Sequence, residues 1–162
     1  MPKTIFRHCL EIWPSEASSS SMIRLVCDAA RLNARDRALA ARATAWLLLA
    51  RLALRLAPFR AVRGALHRIP PRRRRRATAA ECERALRRAS RALPSSQCLA
   101  LAYAGAALLR REGRESRLNI HVRLADGQQL NAHASLVAED IVVAGAGAGT
   151  EWPVLFSDRI RP

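Results

Sequence analysis

Aromatic and acidic side chains are both scarce in this chain of 162 residues. Phe, Trp and Tyr together make up 4% of it, which disfavours a module that binds nucleic acid by stacking bases on rings. The 13 Asp and Glu face 28 Lys and Arg, so the formal net charge is +15. That charge attracts nucleic acid, anionic lipid or an acidic polypeptide without choosing among them, and an Arg- and Ala-rich composition is also typical of a GC-rich genome.

The chain also lacks the apolar runs that membranes and secretion require. The helical segment 36–56 is rich in leucine, but its longest charge-free stretch, Ala43 to Ala50, is far shorter than the roughly 20 residues that span a bilayer. Arg7 and Glu11 lie where the apolar part of a signal peptide would be. We therefore expect a cytoplasmic protein whose segment 36–56 is buried in the protein or against a partner, with peripheral contact to a membrane surface as the alternative.

The four cysteines do not have the spacing of a metal site, since no C-x-x-C pair and no histidine-bracketed pair occurs. We predict reduced thiols, no metal and no cofactor. They are Cys9, Cys27, Cys82 and Cys98.

Changes in composition divide the chain into three parts. Residues 1–35 form an N-terminal extension, partly flexible because of its serine run at 18–21. Residues 36–76 form a helical arm that ends in the basic run Arg72–Arg76, and residues 77–162 form the core. The basic run could bind nucleic acid or an acidic peptide, but a solvated linker is the simpler interpretation.

Two helices are predicted in the first half of the core. Thr78 and Glu81 match a capping box, and Cys82 follows on the apolar face of that helix. After Pro94, Ser95 or Ser96 can cap a second helix, and a cap at Ser96 places Cys98 in its first turn. There the positive end of the helix dipole favours a thiolate, the nucleophilic form of cysteine.

Alternating apolar residues after Gly113 predict a β-hairpin with a two-residue turn at Asp126-Gly127. In that register the numbers of paired residues add to 253, so His133 lies opposite Ile120 on the apolar face, where a helix packs. His121 then lies on the other face, at the surface. His133 is therefore the better base for Cys98.

The residues around this pair resemble the transglutaminase-like leader peptidases of lasso-peptide gene clusters, over roughly residues 36 to 145. The resemblance is carried by the runs P-S-S-Q-C-L-A-L-A-Y at 94–103, L-N-I-H-V at 118–122 and A-H-A at 132–134, and further back by W-L-L-L-A-R-L-A-L-R at 46–55.

The resemblance implies an α+β, papain-like fold of the transglutaminase type, with N-terminal helices followed by a small antiparallel sheet packed on the Cys98 helix. It implies a cysteine protease that cleaves the leader from a lasso precursor peptide, with Cys98 as nucleophile and His133 as general base. The implied partners are that precursor, a separate small leader-recognition protein and an ATP-dependent lasso cyclase. No nucleic acid is expected.

The chain departs from these relatives at the acid that would orient the histidine. The corresponding positions hold Gly145 and Ala146, whose side chains cannot orient the ring. Glu139 and Asp140 are expected in the next hairpin turn, too far from His133. Glu151, a backbone carbonyl or a side-chain amide are the remaining candidates.

Two other functions stay open on the sequence alone. One is a noncatalytic basic module that binds nucleic acid or a membrane surface through Arg72–Arg76 and the segment 39–56. The other is an amidase or acyltransferase that uses the same Cys-His pair, since a fold does not fix a reaction.

Overall fold

A computed structural model describes residues 32–72, 77–93, 98–125, 129–147 and 151–162. Most of the N-terminal extension, most of the basic run, Ser96 and the turn at Asp126-Gly127 lie outside these residues. Within them, four helices precede four strands: α1 (Ala34–Leu56), α2 (Phe59–Arg68), α3 (Ala79–Ala92), α4 (Cys98–Arg111), β1 (Ser116–Ala125), β2 (Gln129–Ala138), β3 (Ile141–Ala144) and β4 (Val154–Ile160).

Helix boundaries follow local side-chain chemistry. The Asn33 side chain accepts a hydrogen bond from the Asp36 amide and begins α1. Thr78 and Glu81 form the predicted capping box at the start of α3, in which each side chain bonds a backbone amide of the other residue. These contacts satisfy amides that the helix itself cannot pair. Cys82 is fully buried on α3, as predicted.

The central element is α4, whose residues from Ala102 to Leu109 are all buried. Helices α1 and α3 pack on one side of it, and strand β2 contacts it from the sheet. Small side chains along α4 allow this close approach: a methyl group added at Gly105 would come within 2.6 Å of the Leu136 side chain. The core therefore lies between a helical layer and one face of the sheet.

The sheet is antiparallel in the order β3-β2-β1-β4. Glu139 and Asp140 form the turn between β2 and β3, as predicted, both with positive φ. The Glu139 carboxylate there accepts from Arg114 and from the Ala79 amide. This pairing joins the β2–β3 turn to the start of α3, away from His133.

The register of the β1–β2 hairpin differs by one residue from the prediction. Paired residue numbers add to 254, so His121 lies opposite His133 and Leu118 opposite Leu136. Ala125 pairs with Gln129, so three residues connect the strands rather than two. Apolar pairing explains the shift, because Leu118 and Leu136 are both fully buried, whereas the predicted register would have set Leu118 against Ser135.

An ion pair and a set of hydrogen bonds from arginine side chains attach α1 and α2 to α4. Arg42 of α1 bonds the fully buried Glu112 at the end of α4, with 2.7 Å between Nη1 and Oε1. Arg110 of α4 donates to the backbone oxygens of His67 (2.8 Å) and Ile69 (2.7 Å) at the end of α2. Neither contact is visible in the sequence, since each joins residues more than 40 positions apart. No helix among the described residues has both the length and the apolar character to cross a bilayer.

Candidate active site

Cys98 is the first residue of α4 and is partly exposed. At this position the sulfur lies at the positive end of the helix dipole, which stabilises a thiolate. Cys82, by contrast, lies in the core, where burial raises the pKa of its thiol to about 12. Of the two described cysteines, Cys98 alone combines exposure with a setting that favours the nucleophilic form.

The Cys98 thiol is hydrogen-bonded to the imidazole of His133. On its other side, Nε2 of that ring lies 2.7 Å from the backbone oxygen of Gly145. A carbonyl oxygen only accepts hydrogen bonds, so Nε2 carries a proton and donates it. In the neutral ring Nδ1 is then the unprotonated nitrogen, and this is the nitrogen that can take a proton from the thiol.

The hydrogen bond with Cys98 is the largest influence on the pKa of His133 and raises it. Burial of the ring acts in the opposite direction, and the carbonyl of Gly145 adds to the increase. The net pKa lies above the ordinary value for histidine. A raised pKa makes the ring a better proton acceptor, which favours a thiolate–imidazolium pair.

Gly145 orients His133 through its backbone, although its side chain cannot. Its φ is +73°, and a Cβ atom there would lie 2.1 Å from the Ala134 oxygen and 2.9 Å from the Ser135 Cα. Only glycine fits such a close approach at positive φ. Of the candidates for an orienting group, the backbone carbonyl of Gly145 is the one that contacts the ring, whereas the side chain of Glu151 is exposed.

The position of His133 on its strand differs from the prediction. Because it lies opposite His121 rather than Ile120, it is not on the face of Leu118 and Leu136. Pairing between β2 and β3 stops at Leu136, and the chain beyond β3 carries the Gly145 carbonyl to the His133 ring. His133 therefore contacts Cys98 from the part of β2 that β3 does not pair with. It does not do so from the apolar face of the sheet, where the alternation of residues had predicted it.

His121 was predicted at the surface, and this is wrong: its exposed fraction is 4%. Its ring centre is 6.3 Å from that of His133. Nδ1 donates to the Trp152 carbonyl (2.9 Å), and Nε2 accepts from the Ser135 hydroxyl (2.9 Å) when the ring is neutral. Both nitrogens are thus engaged, so His121 holds the segment before β4 against the sheet and leaves His133 as the histidine that contacts the thiol.

Trp152 forms a wall beside the Cys-His pair that the sequence did not indicate. Its ring stands edge-on to His133, with 6.5 Å between ring centres and 73° between planes. The Arg123 guanidinium lies 5.0 Å from the centre of the Trp152 ring, a cation–π contact. The Val122 amide donates to the Pro153 oxygen and anchors the same segment. The Trp152 ring therefore contacts both the Arg123 guanidinium and His133, the candidate base.

A second polar cluster connects α2 to β4. Both oxygens of the buried Asp158 accept from Arg63 (2.8 and 3.0 Å), and His67 Nε2 lies 3.0 Å from Oδ2. Burial by itself would raise the pKa of Asp158, but these hydrogen bonds outweigh it and hold the pKa below its ordinary value. Phe59 contacts Phe156 edge-on beside the cluster. The cluster fixes α2 on the sheet, and it gives His67 a partner that the sequence did not reveal.

Comparison with protein families agrees with this arrangement. The model of the transglutaminase-like superfamily matches residues 43–156, a range that contains both Cys98 and His133. No curated protein and no solved structure gives a significant match. The chain belongs to the transglutaminase-like superfamily, and the expected α+β fold, helices before an antiparallel sheet, is confirmed. Family and geometry together support a cysteine-dependent enzyme.

Proposed function

We propose that this protein is the leader peptidase of a lasso-peptide pathway, a cysteine protease that removes the leader from a ribosomally made precursor. The observation that carries the proposal is the contact between Cys98 and His133 at the start of α4. Among the reactions that a cysteine-dependent enzyme of this family could catalyse, the resemblance of the surrounding residues to such peptidases favours leader cleavage. The fold alone would allow others.

The proposed reaction begins with proton transfer from the Cys98 thiol to Nδ1 of His133. The thiolate attacks the carbonyl carbon at the leader–core junction, and the positive end of the α4 dipole stabilises the charge on the oxyanion. The imidazolium then gives its proton to the nitrogen of the core peptide, so the C–N bond breaks and a free amine leaves. The leader remains attached to sulfur as a thioester.

Water completes the cycle. His133 takes a proton from the water molecule, whose oxygen attacks the thioester carbon. The C–S bond breaks, and the proton returns to the sulfur of Cys98. Throughout these steps the Gly145 carbonyl accepts from Nε2, so it maintains the tautomer and orientation that an acidic side chain supplies in other triads.

Charge beside the pair supports a peptide substrate with acidic side chains. Arg123 lies over the Trp152 ring, next to His133, and attracts carboxylates near the bond to be cleaved. We propose that a separate small protein grips the leader and that an ATP-dependent cyclase takes up the released core. No nucleic acid is required by this mechanism.

The test is to incubate the protein with the precursor peptide encoded beside its gene, with and without the neighbouring small protein, and to follow the products by mass. A leader fragment that has gained one water shows hydrolysis. A leader fragment joined to an added amine shows acyl transfer, the reaction of an acyltransferase that uses the same pair. Cys98→Ala should abolish either product, and Cys82→Ala is the matched control. Cleavage that persists in Cys98→Ala would refute the assignment.

A further inference from the structure

Helix α1 is apolar on two opposite sides, and within the part of the chain that the structure describes, only one of them faces the core. Its inner side contributes Leu39, Ala43, Leu47 and Ala50 to the core. Its outer side exposes Leu48 by 50%, Leu49 by 53%, Leu52 by 54% and Leu56 by 77%. The outer side of a surface helix is normally polar, so a second apolar side calls for a second covering surface.

The outer leucines form one continuous stripe. At about 100° per residue, the exposed residues Ala41, Ala45, Leu48, Leu49, Leu52 and Leu56 fall within an arc of about 100°. No polar residue lies within that arc. We call this surface the outer stripe, and it runs for about 22 Å, since 15 steps separate its first and last residues at 1.5 Å each.

Arginines line one border of the outer stripe and its C-terminal end. Arg37 and Arg55 lie along one side of it, and Arg60 follows just beyond its C-terminal end. From residue 37 to residue 80 the chain contains 12 arginines and no aspartate or glutamate. A cover for the stripe must therefore be apolar in the middle and negatively charged at its border.

We propose that the outer stripe of α1 docks onto an anionic membrane surface, with its leucines among the acyl chains and its arginines at the headgroups. The helix lies in the plane of the interface and does not cross the bilayer. A second copy of the chain fits poorly, because it would bring one arginine border against another and α1 offers only Asp36 in return. The stripe also holds only leucine and alanine, not the aromatic anchors that dominate protein interfaces.

The test uses the full chain with vesicles of phosphatidylcholine, with or without phosphatidylglycerol. We expect flotation with the anionic vesicles and weak or no flotation with the neutral ones. Changing Leu48, Leu52 and Leu56 together to serine should lower the affinity by about tenfold or more. The matched control changes Leu124 and Leu155, both 70% exposed on the sheet, to serine and should leave the affinity unchanged.

Arginine variants and a fluorescent probe test the two halves of the surface. Arg55→Gln and Arg60→Gln should each weaken binding about fivefold, with a flatter salt dependence. Leu52→Trp should shift its emission to the blue with anionic vesicles only. Since the changed leucines are exposed, the far-ultraviolet circular dichroism and the urea midpoint should match wild type.

Three results would overturn the proposal. They are the absence of flotation with anionic vesicles, equal flotation of wild type and the leucine-to-serine variant, and a dimer in analytical ultracentrifugation that the same variant abolishes. The last would assign the stripe to a second copy. None of these measurements depends on peptidase activity, so the membrane proposal and the proposed function can fail independently.

Discussion

The Gly145→Ala variant tests directly whether a backbone carbonyl replaces the missing acid. The added Cβ would lie 2.1 Å from the Ala134 oxygen, and the other nearest atoms are also backbone. Reaching an ordinary contact requires a displacement of about 1 Å, which would lengthen the 2.7 Å bond from Nε2 of His133 to the Gly145 oxygen beyond hydrogen-bonding distance. Positive φ adds about 1–2 kcal/mol of strain for alanine.

The expected result is a loss of about a hundredfold in kcat, the usual effect of a misplacement of this size near the reacting atoms. Because the Gly145 carbonyl helps to raise the pKa of His133, the variant should also lower that pKa. The imidazolium then loses its proton at lower pH, and less Cys98 is held as thiolate under mildly acidic conditions. Alkylation of Cys98 by iodoacetamide, followed by mass against pH, measures this without any substrate.

Gly147→Ala is the matched control. Gly147 also has positive φ, but a Cβ there would meet no atom within 4 Å. It should therefore share the backbone strain and keep the orientation of His133. If Gly145→Ala stays folded and matches Gly147→Ala in both turnover and alkylation profile, the carbonyl does not orient the ring and the reasoning fails.

Three further predictions address neighbouring groups. At neutral pH iodoacetamide should label Cys98 far faster than Cys82, whose burial raises its pKa to about 12; equal rates, measured by peptide mapping, would contradict the different settings of the two thiols. His133→Ala should lower kcat by several orders of magnitude, whereas His121→Ala should lower it about tenfold and the unfolding free energy by about 1–3 kcal/mol, because it leaves two partners unsatisfied; the reverse order in kinetics would exchange their roles. Asp158→Asn should reduce the unfolding free energy at neutral pH by about 2 kcal/mol. Because folding lowers the pKa of Asp158, the stabilisation is complete above the unfolded pKa of about 3.9 and is lost as pH falls through the folded pKa. The unfolding free energies of variant and wild type, measured by urea titration, should therefore converge in acid. A difference that stays constant with pH would argue against an ionised Asp158.

The amino-acid sequence by itself determined the local structure of the core. Thr78 and Glu81 define the start of α3, and the glycine and proline positions mark helix ends, because capping depends on residues within a few positions of each other. Cys98 was identified from its place after a helix break and from the resemblance of its neighbours. The structure brings Cys98 into contact with His133, and the roles of nucleophile and base stay a prediction.

The sequence also carries two conflicting signals for the hairpin register, one from the turn and one from the apolar pattern of the strands. Asp126-Gly127 favours a two-residue loop, whereas the apolar positions Leu130, Ala132, Ala134 and Leu136 pair with apolar positions of β1 only when the strands shift by one. Burial of one face outweighs a turn preference, because a shift by one residue moves every side chain to the other face. The observed register places His121, His133 and Ser135 on one face of the sheet, and the segment at Trp152 covers His121 on that face.

Only the tertiary structure decided how His133 is held. A backbone carbonyl has no sequence signature, so the sequence shows only that position 145 holds glycine in place of an acid. The structure shows that the Gly145 oxygen lies 2.7 Å from Nε2 of His133. The same holds for Trp152, Asp158 and Glu112, whose partners lie far away in sequence. Local chemistry fixes where helices and strands begin, but contacts between distant segments depend on how those elements pack, and that packing determines which groups surround the Cys98 sulfur.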